Sequence, residues 1–297
     1  MDQITLGVFS PSVLLDVVRT TGRLAAAGLD VRDVPVPSSP AQFTSLRNRE
    51  FDAVFTSPDN VLAYRFLPAN PLGALLDVEI VAGLDRGLGL CLAARPGVTV
   101  PSGGRLAVDV PNSGFAFVGY ALLEELESSR DAFEIAALGS TPKRAAALRA
   151  GECDVTVLNA GNELTARAGG CALLADVTRL GPYLGTVVAR FRDAPGRPEV
   201  DKLTEVLVDT AGQIRAGELD DVATESAGRL LGLTAESAAE HVAVLRDPSR
   251  GLIDDGAVDT AALETLVGLR RRFLPAPELD GITDRFGELV RSAVLVS

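Results

Sequence analysis

The chain has no tryptophan, one histidine, one methionine and three cysteines among 297 residues, and its 28 basic residues are outnumbered by 40 acidic ones. Each shortage excludes something. Cys91, Cys153 and Cys171 form no C-x-x-C pair, and an odd count leaves no closed disulfide framework. The formal net charge of -12 creates a long-range field that repels phosphate backbones and anionic lipid headgroups, so nucleic acid and membrane surface drop out as partners. No apolar run approaches the roughly 18 residues of a membrane helix, so no membrane insertion is expected. Without H-E-x-x-H, P-loop, G-x-G-x-x-G or G-x-S-x-G motifs, the common zinc, nucleotide and serine-hydrolase sites are missing, and no metal or cofactor is expected. The segment Met1 to Ala26 opens with Asp2, has no Lys or Arg before Arg19, and is broken at Pro11 and Asp16, which is not the form of a secretory leader. The first cysteine is Cys91, too far along to carry a lipid anchor. The expectation is a cytoplasmic monomer as written, or an extracytoplasmic protein if a leader has been removed.

What is present is a globular composition, 47% hydrophobic and 23% charged, long enough for one large domain or two ordinary ones. Short β-branched runs alternate with longer helical patterns, the signature of α/β units with buried parallel strands. Strands are expected at Ile4 to Phe9, Val31 to Val36 and Asp52 to Phe55, and helices at Val13 to Ala27, Pro40 to Arg49 and Pro58 to Phe66. The pattern then recurs. A shift of 102 positions lays Leu106 to Val110 on Ile4 to Val8, Ser140-Thr141-Pro142 on Ser38-Ser39-Pro40, Asp154 on Asp52 and Asn162 on Asn60. A repeat of this length exceeds the roughly 20 to 50 residues of a solenoid unit, so two lobes of like build are expected.

In open α/β sheets ligands bind beyond the carboxyl ends of the strands, where helices present unpaired N–H groups and the positive end of their dipole. Each repeat places small polar residues there: Ser10-Pro11-Ser12, Ser38-Ser39 and Thr56 to Asn60 in the first, and Asn112-Ser113-Gly114, Ser140-Thr141 and Asn159 to Asn162 in the second. Singly these are ordinary helix caps, each worth about 1 kcal/mol. At matching places in two repeats they outline a polar gap between lobes. Val78 to Ala94 and Gly181 to Arg190 read as two extended crossings flanked by glycine, a hinge on which the lobes close. The boundaries expected are 1–88 and 187–297 for lobe one and 95–182 for lobe two. Helices are expected at Val200 to Ala216, Asp221 to Leu231, Ala235 to Leu245, Thr260 to Phe273 and Ile282 to Leu295, all padding lobe one.

On Glu50-Phe51-Asp52-Ala53-Val54 leading into Thr56 to Asn60, on Val108 to Phe117, on Gly181-Pro182-Tyr183-Leu184-Gly185, and on Ser249-Arg250-Gly251-Leu252 with Val258-Asp259, the chain resembles the type II substrate-binding proteins of ABC importers. Within these it is most similar to the sulfonate, nitrate and thiamine-pyrimidine branch. The resemblance covers nearly the whole chain. It implies a two-lobed type II periplasmic-binding-protein fold, α/β in class, whose lobes are joined by a two-strand hinge. It further implies that a small polar or anionic ligand is trapped between the lobes and passed to a membrane permease. Carried over residue by residue, it makes Ser10, Ser39, Thr56, Ser57 and Asn60 of lobe one, and Asn112, Ser113, Thr141 and Asn159 of lobe two, ligand contacts. Phe9, Phe115 and Tyr183 become apolar or stacking walls.

The same fold also hosts cytoplasmic enzymes, so a signal-less decarboxylase, cyclase or proton-transfer enzyme, possible in specialised metabolism, is the alternative. For it the acid or base candidates are Asp59, Asp85 and Asp109, each of which also has a plain capping or hinge role, the latter for Asp85 as an ion pair with Arg86. His241, on a late helix, reads as a surface or packing residue. Cys91 and Cys153 read as core, and Cys171 as the one thiol worth testing.

Overall fold

The computed structural model describes every residue except Val100 and Ser297. In the first lobe β1 (Asp2–Val8) is followed by α1 (Val13–Thr20), α2 (Arg23–Ala26), β2 (Leu29–Pro35), α3 (Ser39–Arg47), β3 (Ala53–Thr56), α4 (Pro58–Phe66) and β4 (Val78–Gly83). The single helix expected over Val13 to Ala27 is two pieces, because Gly22 adopts φ 72° and breaks the spiral. The chain then crosses to β5 (Cys91–Ala94), β6 (Gly104–Val108), α5 (Gly114–Glu125), β7 (Phe133–Ala137), α6 (Thr141–Ala150), β8 (Val155–Leu158), α7 (Asn162–Ala168) and β9 (Ala172–Asp176). It returns as β10 (Val187–Phe191) and closes with α8 (Arg197–Ala216), α9 (Asp220–Leu231), α10 (Ala235–Arg246), β11 (Val258–Asp259), α11 (Thr260–Phe273), α12 (Phe286–Leu289) and β12 (Leu295–Val296).

The two sheets share one plan. Their strand orders are β2-β1-β3-β10-β4 and β7-β6-β8-β5-β9, with the first three strands parallel and the fourth position antiparallel to its neighbours. The 102-residue repeat thus superimposes β1 on β6 and β3 on β8, while the fourth strand of each sheet comes from a crossing segment. Strands β3 and β8 are buried along their whole length, as parallel strands covered on both faces must be. The crossings run side by side: Leu84 N donates to Thr186 O at 2.8 Å and Gly185 N to Asp85 O at 2.9 Å. A Cβ at Gly185 would lie 2.2 Å from Asp85 Oδ1 and 2.5 Å from Gly87 N, so only glycine allows this approach.

Two expectations for the C-terminal segment need correction. Helices α8 and α9 cover α1 of lobe one, but α10 also meets lobe two, where Glu240 pairs with Arg167 of α7. Helix α11 lies between the lobes: Phe273 stacks on Phe117 at 6.0 Å and meets Tyr120 edge-on at 5.4 Å, and Arg272 pairs with Glu124, all three partners being on α5. One apolar cluster consequently runs from Val78 and Val187 through Leu263 and Leu266 of α11 to Phe117, Leu106 and Val155. The helix expected at Ile282 to Leu295 is a short 3-10 turn, the single turn α12, and an extended stretch. Of that stretch, Val290 bridges Ile80 on the edge of β4, where Arg291 N donates to Ile80 O at 3.0 Å, and after a turn β12 pairs with β11, because these strand edges offer backbone partners that a helix would forgo.

Candidate ligand cleft

The lobes meet around two connected chambers. The larger leaves about 90 Å³ for the centres of water molecules and the smaller about 30 Å³. Phe9 and Ser57 of lobe one and Phe115 and Thr141 of lobe two border both, so they form one cleft. A cavity needs roughly 10 to 15 Å³ to admit one water and each water in the liquid takes about 30 Å³, so the larger chamber has room for several waters or a small metabolite fragment.

Five helices begin at this cleft, α3 among them at Ser38. Ser12 caps α1, accepting from Leu15 N at 3.2 Å; Ser57 caps α4, accepting from Asp59 N at 3.3 Å; Ser113 caps α5, accepting from Ala116 N at 3.0 Å. Helix α6 starts at Thr141 after Ser140. A serine cap satisfies one of the free N–H groups of a first turn and leaves others, so capping and ligand binding do not compete.

Most residues singled out in the sequence converge here. Phe9, Ser10, Thr56, Ser57, Phe115, Thr141 and Asn159 line the larger chamber together with Asp85, and Asn60, Ser113 and Asp109 line the smaller. Asn60 Nδ2 donates to Thr56 Oγ1 at 3.0 Å, and Ser113 Oγ donates to Asp109, so both hydroxyl residues are held in fixed orientations. Three residues lie off the walls. Ser38, not Ser39, caps α3, accepting from Ala41 N at 3.4 Å, and it borders the smaller chamber while Ser39 faces Tyr64 in the core. Asn112 is exposed, one residue ahead of the cap. Tyr183 is buried in the hinge against Gly87, and burial, aided by Asp59, Asp85 and Asp109, holds its phenol well above the ordinary range.

The carboxylates divide by role. Asp59 is locked in a buried bidentate pair with Arg270 of α11, Nε to Oδ1 at 2.6 Å and Nη2 to Oδ2 at 2.7 Å, which removes it as an acid or base. Asp85 makes no ion pair with Arg86. Its Oδ1 accepts from Gly87 N at 2.8 Å and Thr186 N at 3.2 Å, tying the two crossings together, and burial pushes its carboxyl up to about 6 against the pull of those bonds.

One cleft residue, Arg144, escaped sequence reasoning, and another, His241, expected at the surface or in packing, is buried at the cleft. His241 is 1% exposed, lines the larger chamber, and its Nδ1 has no partner; burial holds it down at about 4, so it is neutral at pH 7. Ala238, Val242 and Leu245 on the same side of α10 are buried too, a helical spacing that marks His241 as inward-facing. Arg144 borders the smaller chamber, 2% exposed, donating to Val157 O at 3.0 Å, Thr141 Oγ1 at 3.2 Å and Gly139 O, with Nε unpaired. All three cysteines are buried with thiols pushed up by burial, Cys171 included, so none has the exposed, low-pKa character of a reactive thiol. Among the described residues no cluster of three or more metal-ligating side chains occurs, and no helix is long and apolar enough to cross a membrane.

No protein-family model and no curated protein matches the chain in sequence. Solved structures do match in fold. The alkanesulfonate-binding protein SsuA from Xanthomonas axonopodis pv. citri, bound to MOPS, aligns over 100% of this chain and 98% of its own with a TM-score of 0.72 at 15% identity. The periplasmic nitrate-binding protein NrtA from Synechocystis PCC 6803 aligns over 99% and 87% with a TM-score of 0.73 at 11% identity. A conserved Candida albicans gene product, described as having the generic periplasmic binding protein fold, aligns over 98% and 96% with a TM-score of 0.65 at 15% identity. The architecture is the two-lobed type II periplasmic-binding-protein fold.

Proposed function

We propose that the chain is the solute-binding component of an ABC-type importer, which closes its two lobes on a small polar or anionic molecule and presents it to a membrane permease outside the cytoplasm. The observation that carries this reading is the cleft itself: helix starts from both lobes, capped by Ser12, Ser57 and Ser113 and, at α6, preceded by Ser140, aim at one shared space. Convergent N–H groups and dipoles recognise oxygens of a ligand, and because they come from opposite lobes, the ligand stabilises the closed form over the open one. Thr56, Asn60, Thr141 and Asn159 supply neutral hydrogen-bonding groups, and Phe9 and Phe115 supply apolar walls. In the smaller chamber Arg144 supplies positive charge at the starts of α5 and α6. Nothing in this scheme breaks a bond, and a receptor returns its ligand unchanged.

The test is ligand retention and release. Native mass spectrometry of the purified protein should show a noncovalent adduct whose mass is unaltered after release, and re-adding the released molecule should raise the melting midpoint. Ser57→Leu combined with Ser113→Leu fills the cleft from both sides and should abolish that shift while helix content stays as in the wild type. Turnover of the bound molecule, or an unchanged shift in the double variant, would move the function or the site elsewhere.

A further inference from the structure

Taking the cleft as a ligand site, as proposed above, the two chambers differ in charge in a way that sorts ligands. Among the described residues no lysine or arginine lines the larger chamber; Asp85 is its carboxylate and His241 its imidazole, uncharged at neutral pH. Phe9, Phe55 and Phe115 line it as well, among aliphatic residues such as Leu14, Leu84 and Leu245. The cation of the cleft, Arg144, sits at the other chamber. An anion seated in the larger chamber would face a buried carboxylate with no cation beside it, whereas a cation would meet an opposite charge there.

We propose that the larger chamber receives a protonated amine, its N–H groups directed at Asp85 and its carbon atoms against the phenylalanine rings. An anionic group on the same molecule would then extend toward Arg144, past the shared walls of Phe9, Ser57, Phe115 and Thr141. The selecting element is a hinge residue, so the group that reads the ligand's charge also joins the crossings on which the lobes turn. Asp85 accepts from Gly87 N and Thr186 N through Oδ1. Ammonium binding thus reinforces the carboxylate that holds those strands together.

A pH signature follows. Asp85 titrates at about 6 in the empty protein, so an ammonium ligand should lose about tenfold in affinity per pH unit below that value and hold steady from pH 6.5 to 7.5. The other groups facing Asp85 stay silent in this range: His241 of α10 is held down at about 4, and the Tyr183 phenol of the second crossing is held well above 10. Glu163 of α7, which abuts Gly89 of the first crossing, titrates at about 8, so the series stops at pH 7.5.

The experiment splits a chelator-treated small-molecule extract on a strong cation exchanger at pH 3 and assays each fraction by melting shift. Defined pairs accompany it: β-alanine against propionate, taurine against ethanesulfonate, and propylamine alone. The stabilising material should carry an amine, retained by the exchanger when its acid group is a carboxyl and passed as a net-neutral zwitterion when it is a sulfonate, and within a pair the amine should stabilise and its deaminated partner should not. Asp85→Asn keeps an oxygen that accepts from Gly87 N and Thr186 N, and it should weaken binding at least tenfold and erase the pH dependence below 6.5. If that variant fails to fold, the wild-type pH series decides alone. Stabilisers that carry no amine, in either fraction, or a flat pH profile, would overturn the amine assignment while leaving the solute-binding reading intact. A protein stabilised by no fraction would overturn both.

Discussion

Replacing Arg270 with methionine should cost about 3 to 5 kcal/mol of stability, the penalty for leaving a buried carboxylate without its partner. The side chains of Arg270 and Asp59 are 5% and 2% exposed, and two bonds of 2.6 and 2.7 Å join them. Asp59 has no route to water on its far side: a Cβ added to Gly114 of lobe two would sit 2.7 Å from the Asp59 Cβ. The guanidinium also lies 5.2 Å from the centre of the Phe117 ring, a contact that methionine only partly replaces. In a chain of this size each kcal/mol moves the melting midpoint by about 2 °C, so the variant should melt about 6 to 10 °C lower. The pair as such is another matter. Asp59→Leu combined with Arg270→Met removes both charges and should return to within about 1 kcal/mol of the wild type, since a buried pair roughly offsets its own desolvation. Urea unfolding of the wild type, both single variants and the double variant gives the coupling directly. An Arg270→Met protein within about 1 kcal/mol of the wild type, or a double variant no better than that single one, would refute the reasoning.

Glu163 is buried between α7, Gly89 and α10, and burial pushes its carboxyl up to about 8 against the weaker pull of the backbone N–H groups of Glu163 and Gly161. The folded protein therefore keeps a proton that the unfolded chain gives up, and stability should fall by up to about 1.4 kcal/mol per unit as pH rises from about 4.5 to 8. Glu163→Gln should remove that slope in urea midpoints at pH 5, 6.5 and 8, and parallel curves would sink the idea. His241 acts on the opposite limb: held down at about 4 by burial, it should cost stability as pH falls below about 6.5, a loss that His241→Asn should abolish. Gly185→Ala should force the two crossings apart, costing about 1 to 3 kcal/mol and weakening ligand binding more than its stability loss explains; calorimetric affinity equal to that of the wild type would argue otherwise.

The lobes were legible in the sequence because a duplicated unit repeats both its apolar periodicity and its turn chemistry: Asp52 and Asp154, or Pro40 and Pro142, mark the same corners twice. Helices α4 and α11 were located to the residue, since Ser57-Pro58 and Asp259 are strong start signals. The limits of such reading are equally physical. Between adjacent serines at one turn, the sequence does not tell which borders the cleft: the resemblance points to Ser39, and the packing puts Ser38 there. Pairings such as Asp59 with Arg270, 211 positions apart, leave no local trace, and they decide that Asp59 is structural and that α11 belongs to both lobes. The segment after Gly281 carries a helix-like spacing of apolar residues, yet Val290 and Arg291 are taken up by the edge of β4 and Leu295–Val296 by β11, tertiary partners that local propensity does not register.

The position of β10, fourth in its sheet between β3 and β4, also bears on how the molecule is made. Every strand of the second sheet lies within 91–176, so that half is fully supplied with strands before residue 187 leaves the ribosome. The first sheet waits with a vacant slot until the return crossing delivers Val187 to Phe191, and its covering helices α8 to α10 come later still. During synthesis, the half that begins the polypeptide is the last to assemble.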